Sequence, residues 1–182
     1  MFILPNQQNR QMISRPPSGS YPASMNTYIE SVKGDNIFEE LLSSYMETME
    51  LVTSLDSETL HYRYAEGKWT ILDILQHIID TERIFNYRAL RFARKDRTIL
   101  HGFEQDEYVT AAQATLRDVN DLVRELSLVR ANTIELFKSF RPEIFDFEGI
   151  ANANTITVKA ILFAILGHEI HHRIIIEKRY LI

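Results

Sequence analysis

The sequence predicts an all-α protein, a four-helix bundle preceded by an extended arm. Apolar residues recur at three- and four-residue steps in four separate segments of roughly 20 residues each. No segment alternates apolar and polar residues convincingly, and no internal repeat is present. A chain of 182 residues, 45% hydrophobic and 25% charged, suits one domain built on one apolar core. The expectation is a bundle with at least one long crossover and no sheet.

Residues 1–35 form the arm. Its composition (QQNRQMISRPPSGSYPASMN) resists regular helix, and its first dozen residues are expected to be mobile. Tyr21, Tyr28 and Ile29 give the later part something to bury, so it should lie along the bundle. The bundle domain then spans 36–182.

The first helix runs from about Asn36 to Leu55, with Phe38, Leu41, Leu42, Tyr45, Met49, Val52 and Leu55 on one face and Asp35 or Asn36 as cap. Residues 56–68 lack that period and read as a loop. The second helix starts at the N-cap Thr70, with Asp73 in capping-box position, and continues to about Arg94. Ile71, Ile74, Leu75, Ile78 and Phe85 form its stripe. A long connection, 95–114, carries HGFEQDEYV and a short helical turn near Tyr108; connections of this length often act as lids. The third helix has heptad-like spacing from Val119 through Leu122, Leu126, Val129, Thr133 and Leu136 to Phe140, and Pro142 stops it. The fourth, about Thr157 to Tyr180, is apolar almost continuously from Ala160 to Leu166 and should be central.

Chemistry concentrates in GHEIHH, Gly167 to His172, within that central helix. Histidines four apart sit about 40° apart and one turn along, so His168 and His172 aim their imidazoles at one point. Ile161, Ile165, Ile175 and Ile176 share the face, which turns both rings inward. Buried imidazoles need partners. One reading is a pair of neutral core histidines bonded to neighbouring helices; the other is a divalent metal. His77, beside Ile74 and Ile78 on the second helix, is a third inward imidazole and favours the metal. Three imidazoles leave a coordination position open, as catalytic sites do, and nitrogen ligands suit zinc, nickel, copper or iron.

Other polar residues near these positions are candidates for supporting roles. Glu82 sits inside the apolar stripe and reads either as an ion pair with an arginine such as Arg130 or as an acid that orients an imidazole. Asp73 and Asp80 flank His77, with capping an equal reading for Asp73. His171, about 100° round from His172, reads as a supporting or surface residue. HEIHH also satisfies the zinc-protease signature, with Glu169 as base. That reading is disfavoured, because such sites draw a third ligand from further downstream and Glu177 points elsewhere.

Composition excludes several function classes. There is no cysteine, hence no disulfide, no thiolate metal site and no cysteine nucleophile. A net charge of −5 without a basic block argues against nucleic-acid binding. The N-terminus lacks a basic region followed by an apolar one, and no segment is apolar for long enough to span a membrane, so a cytoplasmic location is expected.

Taken together, GKWT with Asp73 and His77, DTERIFNYRALRFAR from Asp80 to Arg94, and GHEIHHR resemble the DinB-like proteins, the DinB/YfiT-like superfamily of metalloenzymes. RPPSGSYP, GFEQDEYV and ANAN resemble one bacterial subgroup, and the resemblance covers 15–181. It implies an up-down-down-up bundle and a metal held by His77, His168 and His172, the trio the residues themselves single out. It also implies a metal-dependent enzyme, with thiol S-transfer to small electrophiles as the leading activity and zinc or nickel as the leading metals. An open metal position lowers the pKa of a bound thiol. The alternative is a metal-binding or oligomerising bundle without turnover. The expected partners are a small thiol, an electrophile and a second copy of the chain in a homodimer. No catalytic residue beyond the metal ligands is singled out.

Overall fold

The computed structural model describes residues 12–181. The mobility expected of the first dozen residues therefore falls almost wholly outside the described residues.

Four long helices form the bundle: α2 (Ile37–Thr53), α4 (Ile71–Ala93), α6 (Val119–Lys138) and α7 (Val158–Arg179). Each begins on a side-chain cap, which satisfies backbone N–H groups that the first turn leaves free. Asn36 accepts from Phe38 N, Asp118 from Asn120 N and Thr157 from Ala160 N. At α4 the expected capping box forms in both directions between Thr70 and Asp73. Two shorter helices accompany these four: α1 (Asn26–Ser31) in the arm and α3 (Ser57–His61) within the segment expected to be loop. A third, α5 (Gln105–Ala112), occupies the long connection where a helical turn was expected.

Cross-helix pairs define the directions. Arg130 of α6 reaches the Leu41 carbonyl of α2, and Lys138 lies over Phe38, so α2 and α6 are antiparallel. Glu82 meets Arg130 and Asn86 meets Thr133, so α4 and α6 run parallel. Leu41 is level with residues near Glu169 through Arg130, and Ser44 and Thr48 with Arg173, so α2 and α7 are parallel. The order is up-down-down-up. Joining two parallel neighbours requires a connection that travels back along the bundle, and this is what lays α5 beside the start of α4.

The arm is not extended throughout. A short 3-10 turn, Ala23–Met25, leads into α1, which packs along α7. Ile29 and Val32 anchor it at 1% and 0% exposure. Gly167 allows this approach, because a Cβ there would stand 2.0 Å from the Tyr28 carbonyl oxygen.

The expectation of no sheet fails at one place. The ANAN segment turns a hairpin between β1 (Glu148–Ala151) and β2 (Asn154–Thr157). Asn152 and Ala153 both take positive φ, 50° and 59°, as a two-residue hairpin turn with right-handed strand twist requires. The strands are four residues each, too short for alternation to register against the helical pattern around them.

One core was expected, but buried apolar residues form two clusters. One gathers the arm, Phe85, Phe92, Phe137 and the first half of α7; the other gathers Ile71 to Ile79, Leu122, Leu126 and Ile176. Between them lies a belt of buried polar side chains: Ser44, Thr48, His77, Thr81, Glu82, Arg130, Thr133, His168, Glu169 and His172.

Candidate metal centre

Within this belt the bundle brings together the three histidines that the spacing singled out. His77 projects from α4 in the second turn after the capping box, and His168 and His172 project from α7 one turn apart. Because α4 and α7 are adjacent and antiparallel, their rings meet edge on. His168 Nε2 stands 3.0 Å from His77 Nε2 and 3.1 Å from His172 Nε2. Exposure is 4%, 5% and 9% for His77, His168 and His172.

Hydrogen bonding among the rings satisfies this arrangement poorly. His168 Nε2 carries either a proton or one lone pair, and it faces two neighbouring nitrogens at bonding distance. A cation at the point of convergence uses all three lone pairs. Nitrogens bound to one tetrahedral zinc at about 2.0–2.1 Å lie roughly 3.3 Å apart, close to the separations seen here. These three residues are the metal-capable cluster among the described residues, their ligand atoms lying within 4.8 Å of one another.

Electrostatics favours the neutral, coordinating form. Burial pushes His77 down to about 4 and His172 down to about 3, with the neighbouring histidines adding to the fall at His172. His168 is driven well below the ordinary histidine range by burial and then by His172, His77 and His171. All three imidazoles are therefore unprotonated at neutral pH. His77 Nδ1 has Thr81 Oγ1 at 3.5 Å, and His172 Nδ1 is buried without a hydrogen-bond partner among the described residues.

Two aromatic side chains wall the cluster. The Trp69 ring lies 4.8 Å from His77 and near-parallel to His172 at 6.3 Å. Tyr28 of α1 sets its ring against His168 and His171, each at 5.3 Å. Trp69 is held by both its polar groups. Its indole N–H donates to Asp106 Oδ1 of α5 at 3.1 Å, and its carbonyl accepts from the Tyr180 hydroxyl at 2.6 Å. A cavity of about 310 Å³ opens on His172 between Trp69, Tyr64, Tyr180, Ile74 and Ile175, with Lys68, Gln105 and Asp106 at its polar edge.

The expected supporting residues are placed elsewhere. Glu82 makes the ion pair with Arg130, accepting from Nε at 3.0 Å and Nη2 at 2.9 Å, so it does not orient an imidazole. Glu169 also faces Arg130, 2.7 Å from Nη2 and fully buried, which removes it as a protease-type base. Asp73 is committed to the capping box and to Arg63 at 3.2 Å. Asp80 accepts from Gln76 at 3.1 Å. His171 is the exception, half-buried with its ring 5.4 Å from that of His172. Of the long connection 95–114, Gln105 and Asp106 line the cavity, while Phe103 and Tyr108 pack on each other.

Trp69, Tyr28 and Asp106 are not singled out as site residues by the sequence, although GKWT and GFEQDEYV, which contain Trp69 and Asp106, carry part of the family resemblance. Trp69 sits one residue before an N-cap, outside any helical period, and the other two come from the arm and the crossover. The one usable hint is a tryptophan beside a strong capping box.

Comparison with known proteins follows the geometry. The sequence model of the DinB superfamily matches residues 40–176. A protein of Oceanobacillus iheyensis, named as a presumptive metal-dependent hydrolase, is 26% identical over 148 residues, covering 79% of this chain and 84% of the relative. Among solved structures, YfiT from Bacillus subtilis, described as a probable metal-dependent hydrolase with an unusual four-helix bundle topology, superposes with a TM-score of 0.70. It is 15% identical, over 79% of this chain and 85% of that one, a likeness of fold.

Proposed function

The chain belongs to the DinB superfamily, and from that premise we propose that it is a metal-dependent enzyme whose divalent ion sits on His77, His168 and His172. The observation that carries the reading is the convergence of three buried, neutral imidazoles whose Nε2 atoms cannot all be satisfied by one another. The description of the Oceanobacillus relative as a metal-dependent hydrolase supports a metal-dependent reaction.

A divalent ion held there supplies a Lewis-acid position at which a thiol or a water loses its proton near neutral pH. The residues around it set up the rest. Trp69 and Tyr28 exclude bulk water from the imidazoles, which strengthens every charge interaction inside. Thr81 lies beside His77 Nδ1 and steadies that ring. Trp69, Tyr64, Tyr180, Ile74 and Ile175 in the 310 Å³ cavity suit the apolar part of an electrophile brought up to His172, and Lys68, Gln105 and Asp106 suit its polar part.

For the reaction we favour thiol S-transfer to a small electrophile over hydrolysis. The chain has no cysteine, so the thiol comes as a substrate. Nitrogen ligands suit zinc or nickel first, with iron and copper as further options. Metal analysis of the purified protein against the His168→Ala, His172→Ala double variant is the primary test. One ion per chain in the wild type and none in the variant supports the centre; equal metal in both removes it. Assays of the metal-loaded protein with several thiols and a chlorinated aromatic electrophile then decide the reaction. Turnover without any thiol returns the reading to hydrolysis, and no turnover at all favours a metal-binding bundle without catalysis.

A further inference from the structure

Trp69 and Asp106 belong to two cavities at once. The first is the space on His172, walled by Trp69, Tyr64, Tyr180, Ile74 and Ile175 on one side and by Lys68, Gln105 and Asp106 on the other. The second, about 560 Å³, shares Gly67, Trp69 and Asp106 with it and adds the polar groups of Arg63, Thr110, Gln113 and Thr115 beside the apolar Val109 and Leu116. The hydrogen bond between the Trp69 indole and Asp106 is therefore a common wall, 3.1 Å wide at its polar contact. A volume of this size falls in the range of about 300–1,000 Å³ that small-molecule sites occupy.

The two charged groups with spare bonding capacity in the second cavity, Arg63 and Asp106, carry opposite charge. Arg63 donates to the Lys68 carbonyl and pairs with Asp73, yet its side chain stays 48% exposed and keeps further N–H donors. Asp73 itself is 4% exposed and already accepts from the Thr70 backbone, so it offers little to a ligand. Asp106 receives Trp69 on Oδ1, which leaves Oδ2 for a ligand. A carboxylate on Arg63 and an ammonium on Asp106 would satisfy both ends, with Thr110, Gln113 and Thr115 bonding what lies between.

We propose that the second cavity is a binding subsite for the amino-acid-like, zwitterionic body of a substrate whose reactive end reaches the histidines past Trp69. The two cavities then divide the labour of a group transfer, the second holding the charged body of one substrate and the first receiving its reaction partner beside His172. This deepens the reading of the histidine cluster as a reaction centre and rests on it for its meaning, but binding at the subsite needs no metal.

That independence makes the test clean. Trp69 is the one tryptophan of the chain, so its fluorescence reports on the shared wall. Metal-free protein is titrated with S-methylcysteine, whose sulfur cannot form a thiolate. A saturable change in fluorescence is expected. N-acetyl-S-methylcysteine and S-methylcysteine methyl ester each lack one charge and should bind about tenfold more weakly. Arg63→Gln should weaken S-methylcysteine by about the same factor and abolish the preference over the ester, while Arg63→Lys, which keeps the charge, should recover part of it. Far-UV circular dichroism establishes that each variant is folded, and Arg63→Lys carries the test if Arg63→Gln is not. Equal binding of all three compounds, no saturable change, or wild-type affinity in both Arg63 variants overturns the subsite. A separate zinc titration keeps the two readings apart: zinc uptake without S-methylcysteine binding removes the subsite alone, and the reverse removes the metal centre alone.

Discussion

Arg130 of α6 holds Glu82 of α4 in a two-pronged pair, Nε to Oε1 at 3.0 Å and Nη2 to Oε2 at 2.9 Å, at 1% and 2% side-chain exposure. The same guanidinium lies 2.7 Å from Glu169 of α7 and donates to the Leu41 carbonyl of α2. One side chain thus ties all four bundle helices at the level of the histidines.

Removing that tie leaves two buried carboxylates without their cation. Arg130→Met is expected to cost about 3–5 kcal/mol of stability, the usual penalty for breaking a buried pair from one side. Adding Glu82→Gln and Glu169→Gln should recover part of the loss, because the orphaned charges go with it. Urea denaturation of the single and triple variants reads both effects; a single variant as stable as the wild type would contradict the role given to Arg130.

Acid should destabilise the metal-free protein earlier than a typical bundle. His77 and His172 titrate near 4 and 3 when folded, against an ordinary value of 6.5. The folded state then binds fewer protons than the unfolded chain, so stability falls as pH drops from about 6.5 through 4 to 3, where His77 and then His172 take up protons. Melting temperatures of metal-free protein across that window should decline, and the decline should be shallower in a variant with all three histidines changed to glutamine. Parallel slopes in the two proteins would place the acid sensitivity elsewhere.

Gly167→Ala tests the docking of the arm. The added methyl meets the Tyr28 carbonyl, which must move for α1 to stay on α7. A loss of about 1–3 kcal/mol is expected, as for other insertions into packed contacts. Limited proteolysis should also cut the arm faster in the variant. An unchanged cleavage rate would mean that α1 is held by its other contacts alone.

Thr70→Ala removes one half of the capping box at the start of α4. About 1 kcal/mol is the expected cost, and because Trp69 is the preceding residue, its fluorescence should shift with the loss. A stability change without any shift in the Trp69 emission would uncouple the cap from the histidine wall.

The bundle helices were legible in the sequence because each buries one face along its whole length. Apolar spacing, the caps Asn36 and Thr70, and Pro142 mark their extents closely. Residues whose roles are set by distant partners were not legible. Glu82 illustrates the limit: its place in an apolar stripe marked it as buried, but whether it faced an imidazole or Arg130 depended on the relative register of α4 and α6. The hairpin at Asn152–Ala153 and the helix α1 escaped for another reason, since segments this short carry too few residues for a period to emerge.

His77, His168 and His172 were available from one dimension, since the four-residue step on a buried helix and a third inward imidazole follow from helical geometry alone. Their meeting at 3.0 and 3.1 Å depended on the antiparallel packing of α4 against α7. So did the company they keep. Trp69, Tyr28 and Asp106 reach the cluster from beside a cap, from an arm packed on α7 and from a crossover, the last because parallel α4 and α6 force the connecting chain back along the bundle. Local periodicity tells which way a side chain points, and only the packing of whole elements tells what it points at.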